Sequence, residues 1–190
     1  MDVFNQITAQ FRVYRHRTLR PVGELLIKLR ITPHLMTAFS LFFGLAAVYL
    51  VFEHYLAFFL FGILHFIADA LDGVIASVKG ETTFGKYFDH ATDNLIAILL
   101  LMKIGYFSHD YYAYLATGLY LLAQLVYVFS KLRAPIIFGR TVAMIALFLY
   151  LPAIISITLY LPVLVYLFAG IISAYSLARQ LQWTLETTFK

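Results

Sequence analysis

Cysteine is absent from this chain of 190 residues, which excludes disulfides, thiolate metal sites and a cysteine nucleophile. Charge is scarce too: Asp, Glu, Lys and Arg together make up 13% of the chain, whereas about a quarter is usual in a soluble domain. What fills the space is apolar. With 62% apolar residues and a mean hydropathy of +0.83, the composition excludes an ordinary water-soluble domain and points to a membrane. At about 20 apolar residues per spanning helix, the chain holds enough for six spans, with little left for anything else.

The expected fold is therefore an all-α integral membrane protein, with six transmembrane helices preceded by an N-terminal amphipathic interfacial helix. Residues 1–190 form one domain, with 1–30 interfacial and 33–180 the six-helix bundle. In the interfacial segment Phe4, Ile7, Phe11 and Tyr14 recur at helical spacing, while Arg12, Arg15 and Arg17 fall largely on other faces. A second amphipathic stretch, 22–30, leads to Thr32-Pro33, an N-cap and first-turn pair for the first span. The spans are expected at 33–52, 55–77, 84–104, 111–130, 135–151 and 160–180. Six spans put both termini on one side.

That side collects thirteen of the fourteen Lys and Arg residues and leaves Lys103 alone on the other, so the termini and the active site are expected to be cytoplasmic. On the far side Tyr106, Phe107, Tyr111, Tyr112 and Tyr114 form an aromatic belt. A net charge of +4 would raise nucleic acid as a partner in a soluble chain. Here the basic residues are read first as topology signals and contacts to membrane lipid, and no nucleic-acid partner is expected.

Only ten residues are acidic, and four of them, Asp69, Asp72, Asp89 and Asp93, fall at the cytoplasmic ends of the second and third spans. At about 100° per residue, Asp69, Asp72, Gly73 and Ala76 occupy about 100° of one helix, and Gly85, Asp89 and Asp93 about 80° of the next. A short loop, 77–84, lets the two faces meet, so the four carboxylates are expected to converge. Like charges gathered beside hydrocarbon are untenable without a counter-ion. An all-oxygen set with no Cys selects a hard divalent cation, Mg²⁺, Mn²⁺ or Ca²⁺, over zinc. Mg²⁺ held this way keeps positions open for phosphate, and the neighbouring glycines let a bulky ligand approach the backbone. The residues thus suggest metal-assisted chemistry on a phosphate or diphosphate.

Asp69-x2-Asp72-Gly73-x2-Ala76 followed by Gly85-x3-Asp89-x3-Asp93 resembles the signature of the CDP-alcohol phosphotransferases, seven of whose eight fixed positions are present. The Thr32-Pro33-x3-Thr37 start to the first span is also similar to that family. The resemblance implies transfer of a phosphatidyl or archaetidyl group from a CDP-linked lipid donor to the hydroxyl of a small alcohol acceptor, phosphorylated or a polyol, with release of CMP. It implies that Asp69, Asp72 and Asp89 are metal ligands for two divalent ions, Mg²⁺ or Mn²⁺, and that Asp93 is the base and touches a metal. It also implies that Asp69, Gly73, Ala76 and Gly85 bind the CDP group, and that the protein can form a homodimer.

In two respects the chain departs from the pattern. The family's Arg after the Ala is Ser77, and seven residues rather than eight separate that position from Gly85. Ser77 is kept with the CDP-binding group by position, and Lys79 and Lys86 are the cations expected to replace the missing guanidinium. Lys131, Arg133 and Arg140, around Pro135, resemble the basic group of family members with phosphorylated acceptors and are expected to bind the acceptor.

Other readings stay open. His90, between two of the aspartates, resembles the Asp-His of the choline and ethanolamine phosphotransferase branch, in which the CDP carries the small alcohol and diacylglycerol accepts. A UbiA-type prenyltransferase, an ion pathway built on intramembrane carboxylates and an inactive family member complete the set. His34, His54, His65 and His109 show no cluster spacing, and Trp183 reads as an interfacial anchor.

Overall fold

The computed structural model describes residues 18–137, 147 and 161–188, and every regular element among them is helical. Helix α1 covers residues 18–28. It is followed by α2 (Pro33–Leu50), α3 (Tyr55–Lys79), α4 (Thr83–Ser108), α5 (Tyr111–Phe129) and α6 (Leu161–Thr188). The last five are each long and apolar enough to cross a membrane. The expected fifth span, apart from residues 135–137 and 147, and the N-terminal positions Phe4 to Arg17 lie outside the described residues.

Helix starts follow the capping signals. Thr32 accepts the Leu35 N–H at 3.2 Å, and Thr82 accepts the Gly85 N–H at 3.0 Å. Asp110 caps α5 by accepting the Tyr112 N–H at 2.9 Å. Three helix ends use left-handed residues other than glycine: Arg30, His109 and Lys131 have φ of 61°, 52° and 56°. At the end of α1 the Ile31 N–H returns to the Leu26 carbonyl at 3.0 Å, and at the end of α5 the Leu132 N–H returns to Tyr127 at 2.9 Å.

Two compact units divide the chain, and α4 runs unbroken from one into the other. The first unit comprises the described residues up to 46 together with 60–92. Its core is Met36, Ala68, Leu71 and Ile75, against which Leu19, Leu26 and Ile27 of α1 pack. Gly23 makes that approach close, because a Cβ there would lie 2.7 Å from Val74 Cγ1. The apolar face of α1 expected to lie in lipid is thus partly used on protein, while Leu25 and Leu29 stay exposed. Ser40 and the fully buried His65 satisfy each other inside this unit at 2.8 Å.

The second unit comprises residues 47–59 and the described residues from 93 onward. Here α5 and α6 pack together through small and polar residues: Gly170 lies where an added Cβ would meet Ala116 at 3.3 Å, and Gln180 donates to the Ala123 carbonyl at 3.1 Å. Tyr120 donates to Asn94 at 2.6 Å. Outward-facing Phe42, Leu56, Leu115 and Ile171 are more than half exposed, a surface suited to lipid and not to water.

Several boundaries move from those expected. The 77–84 loop shrinks to Gly80, Glu81 and Thr82, because α3 continues through Ser77 to Lys79 and α4 begins at Thr83. Gly80 has φ +95°, a turn conformation that L side chains avoid. The last helix runs to Thr188 instead of ending near residue 180.

Candidate active site

The site forms where α3 and α4 meet their three-residue link. Asp69, Asp89 and Asp93 are each partly buried, and one carboxylate oxygen from each lies within 4.8 Å of the other two. Asp89 and Asp93 stand one turn apart on α4, so they share a face by helix geometry alone. Asp69 reaches them from α3. Three hard oxygen donors at this spacing suit a divalent cation, the chemistry expected from the spacing.

Asp72 is not one of the three. It is buried at 6% exposure, and its Oδ2 accepts the Thr37 hydroxyl of α2 at 2.9 Å. The four carboxylates therefore do not form one cluster of equals: one is fixed by a hydroxyl and three are gathered.

Beside the carboxylates lies a hollow of about 370 Å³, within the range of sites that enclose small ligands. Of the expected CDP-binding residues, Gly73, Ala76, Lys79, Gly85 and Lys86 line it, as do Asp72 and Asp89. Asp69 and Ser77 do not, and the Ser77 hydroxyl turns back to the Val74 carbonyl at 2.7 Å. Neither lysine simply fills the place of the missing guanidinium. Lys79 donates to the Ile31 carbonyl at 3.3 Å, and Lys86 pairs with Glu81 at 2.7 Å. That pair is exposed, so it is worth little and yields readily to a stronger anion.

Gly85, expected to leave room for the nucleotide, lines the hollow, and its missing side chain also makes room for protein. A Cβ there would lie 2.9 Å from Thr82 Oγ1 and 3.1 Å from His34 Cε1. Of the expected acceptor group, Lys131 and Arg133 stand on the turn that ends α5, and Arg133 borders a second hollow with Arg179 and Trp183. Arg140 lies outside the described residues. Thr37, His34 and Glu81 also line the hollow, residues for which the spacing predicts no role.

The comparisons with known proteins meet this geometry directly. A family model, CDP-alcohol phosphatidyltransferase, matches residues 30–178, which contain every aspartate described above. The chain belongs to that family. It is also 30% identical over 101 residues to an uncharacterized protein of Aquifex aeolicus (strain VF5), an alignment that covers 52% of each chain. The match thus spans about half the length of that curated relative. A phosphatidyltransferase works on a donor whose head is a cytidine diphosphate and whose tail sits in lipid. Five apolar helices with the carboxylates and the hollow at the ends of α3 and α4 suit such a donor.

Proposed function

We propose that this family member transfers a phosphatidyl or archaetidyl group from a CDP-linked lipid to a small alcohol, phosphorylated or a polyol, at the cytoplasmic face of a membrane. The observation that carries the reading is the convergence of Asp69, Asp89 and Asp93 beside a hollow walled by Gly73, Ala76 and Gly85. The lysine and arginine bias of the connecting segments supports the cytoplasmic orientation.

Asp69, Asp72 and Asp89, with Asp93 in contact, would hold two divalent ions, Mg²⁺ or Mn²⁺. Bound there, such ions supply charge neutralisation at the diphosphate and Lewis-acid activation of its phosphorus. The chain's own part begins with Thr37, whose hydroxyl fixes the orientation of Asp72. Asp93 takes the proton of the acceptor hydroxyl, and the acceptor oxygen forms a bond to the β-phosphorus in line with the leaving oxygen. The bond between that phosphorus and the oxygen bridging to CMP breaks, and its electron pair leaves with CMP. Lys86, released from Glu81, and Lys79 meet the diphosphate charge. Lys131, Arg133 and Arg140 meet a phosphorylated acceptor.

The test is CMP release by the purified protein in detergent with Mg²⁺ or Mn²⁺. CDP-diacylglycerol and CDP-archaeol are offered against glycerol 3-phosphate, inositol 1-phosphate, serine and inositol, with CDP-choline plus diacylglycerol as a separate arm. Acceptor-dependent CMP that disappears in a folded Asp93→Asn variant is the expected result. Turnover undiminished in that variant would remove the base, and CMP from the CDP-choline arm alone would reverse the donor and acceptor.

A further inference from the structure

One wall of the hollow is made by a residue that the transfer above does not use. His34 stands in the first turn of α2, behind the Thr32 cap, and fills the space that the absent side chain of Gly85 leaves open. Two rings of α4 hold it from the side: Phe84 at 5.3 Å and Phe88 at 6.3 Å, both edge-on to the imidazole and stacked on each other at 5.8 Å. Its Nδ1 is sealed from solvent and has no hydrogen-bond partner among the described residues. Buried polar atoms are nearly always paired, and an exception calls for a cause.

The tautomer supplies one. A sealed nitrogen with no acceptor in reach keeps its lone pair bare, and the ring proton goes to Nε2, the nitrogen left for a ligand. Of the residues lining the hollow, Pro33, His34 and Gly85 carry no charge, whereas Asp72, Asp89, Lys79 and Lys86 do. A phosphate finds its cations at the lysines and would gain none from His34 and its phenylalanine backing. A planar heteroaromatic ring would lose little, since flat faces pack well against aromatic and small apolar groups.

We propose that His34 is a specificity-determining residue that reads the base of the donor nucleotide, giving its Nε2–H to the N3 edge of cytosine. This rests on the donor reading above. Cytosine presents a bare lone pair at N3, whereas uracil carries a hydrogen there, so a fixed donor accepts the first and rejects the second. Gly85 then acts through His34, setting how far the imidazole reaches into the hollow.

The experiment is equilibrium binding of CDP and of UDP to the purified protein in detergent with Mg²⁺, for wild type, His34→Leu and His34→Gln, each checked for unchanged elution and melting temperature. Wild type should prefer CDP. In His34→Leu, of similar bulk but with no donor, CDP affinity should fall about 5- to 10-fold, the loss of one hydrogen bond, and the preference over UDP should vanish. His34→Gln, which keeps an N–H at similar reach, should retain part of the preference. In turnover, His34→Leu should raise KM for the donor and leave kcat near wild type. A His34→Leu protein that keeps the wild-type ratio, or a wild type that binds CDP and UDP equally, overturns the role of His34 and leaves the donor reading standing. A folded wild type that binds neither nucleotide overturns both.

Discussion

The two ends of α4 handle charge in opposite ways. Toward its C-terminal end Lys103 donates to Glu53 at 3.0 Å and to the Tyr49 carbonyl, and lies 5.3 Å from the Tyr49 ring centroid. Just past that end Asp110 accepts from the Tyr166 hydroxyl and the Tyr112 N–H. Each charge there is answered by the protein itself. Toward the N-terminal end Asp89 and Asp93 are drawn together with Asp69. Like charges brought this close raise the free energy of the bare fold, a cost that the divalent cations proposed above would offset. Matched charge serves the structure at one end, and gathered charge fits the proposed site at the other.

The largest break in that contrast should come from Asp89→Asn. Removing one of three like charges relieves repulsion, so with chelator present the variant should melt higher than wild type. The same variant should lose the rise in melting temperature that millimolar Mg²⁺ gives wild type, because that rise measures binding to the folded state. Thermal melts in detergent, with and without Mg²⁺, check both signs. A variant that melts lower in chelator would mean the three carboxylates do not repel.

A smaller effect is expected at Thr37. Thr37→Val removes the hydroxyl on the buried Asp72, a loss of about 1–3 kcal/mol for a buried acceptor left without its donor, and Thr37→Ser should restore most of it. Chemical denaturation of the three proteins measures it. Equal stability of Thr37→Val and wild type would show that Asp72 does not depend on that bond.

The smallest effect belongs to the matched end. The Tyr166 hydroxyl first, and the Tyr112 N–H second, hold the Asp110 carboxyl below its ordinary value of 3.8. A depressed value means the stabilisation is present above pH 3.8 and is lost as pH falls through the lowered value beneath it. Asp110→Asn keeps the cap and removes the titration. Its melting temperature should therefore fall less than that of wild type between pH 4 and pH 2.5, and parallel curves would refute the coupling.

Much of this was legible in the sequence for a physical reason. Helical angles can be counted, so the shared face of Asp89 and Asp93 and the position of Asp69 on its own helix follow from spacing. Angle is not depth, however. Nothing local says that Asp72 turns toward α2, because its partner Thr37 lies 35 positions away. His34 was passed over for the same reason: its neighbours Gly85 and Phe84 come from another helix. The end of α6 escaped because hydropathy stops at Arg179 whereas backbone hydrogen bonding does not, and Gln182 supports the polar last turns by donating to Glu186 at 3.0 Å. Composition predicts six spans, and five helices long and apolar enough to cross a membrane stand among the described residues.

The three-residue link between α3 and α4 bears on how the chain is made as well as on what it does. Helices of 25 and 26 residues joined only by Gly80, Glu81 and Thr82 leave no slack for one to lodge in a bilayer while the other waits in water. They are expected to enter as a hairpin, and in the orientation proposed above, with the bend on the cytoplasmic side, its aspartates would never have to cross hydrocarbon. Gly80, at φ +95° with no atom within 4 Å of an added Cβ, is constrained by the turn and not by crowding. A substitution there would register first as protein lost during membrane insertion, before any change in chemistry could be measured.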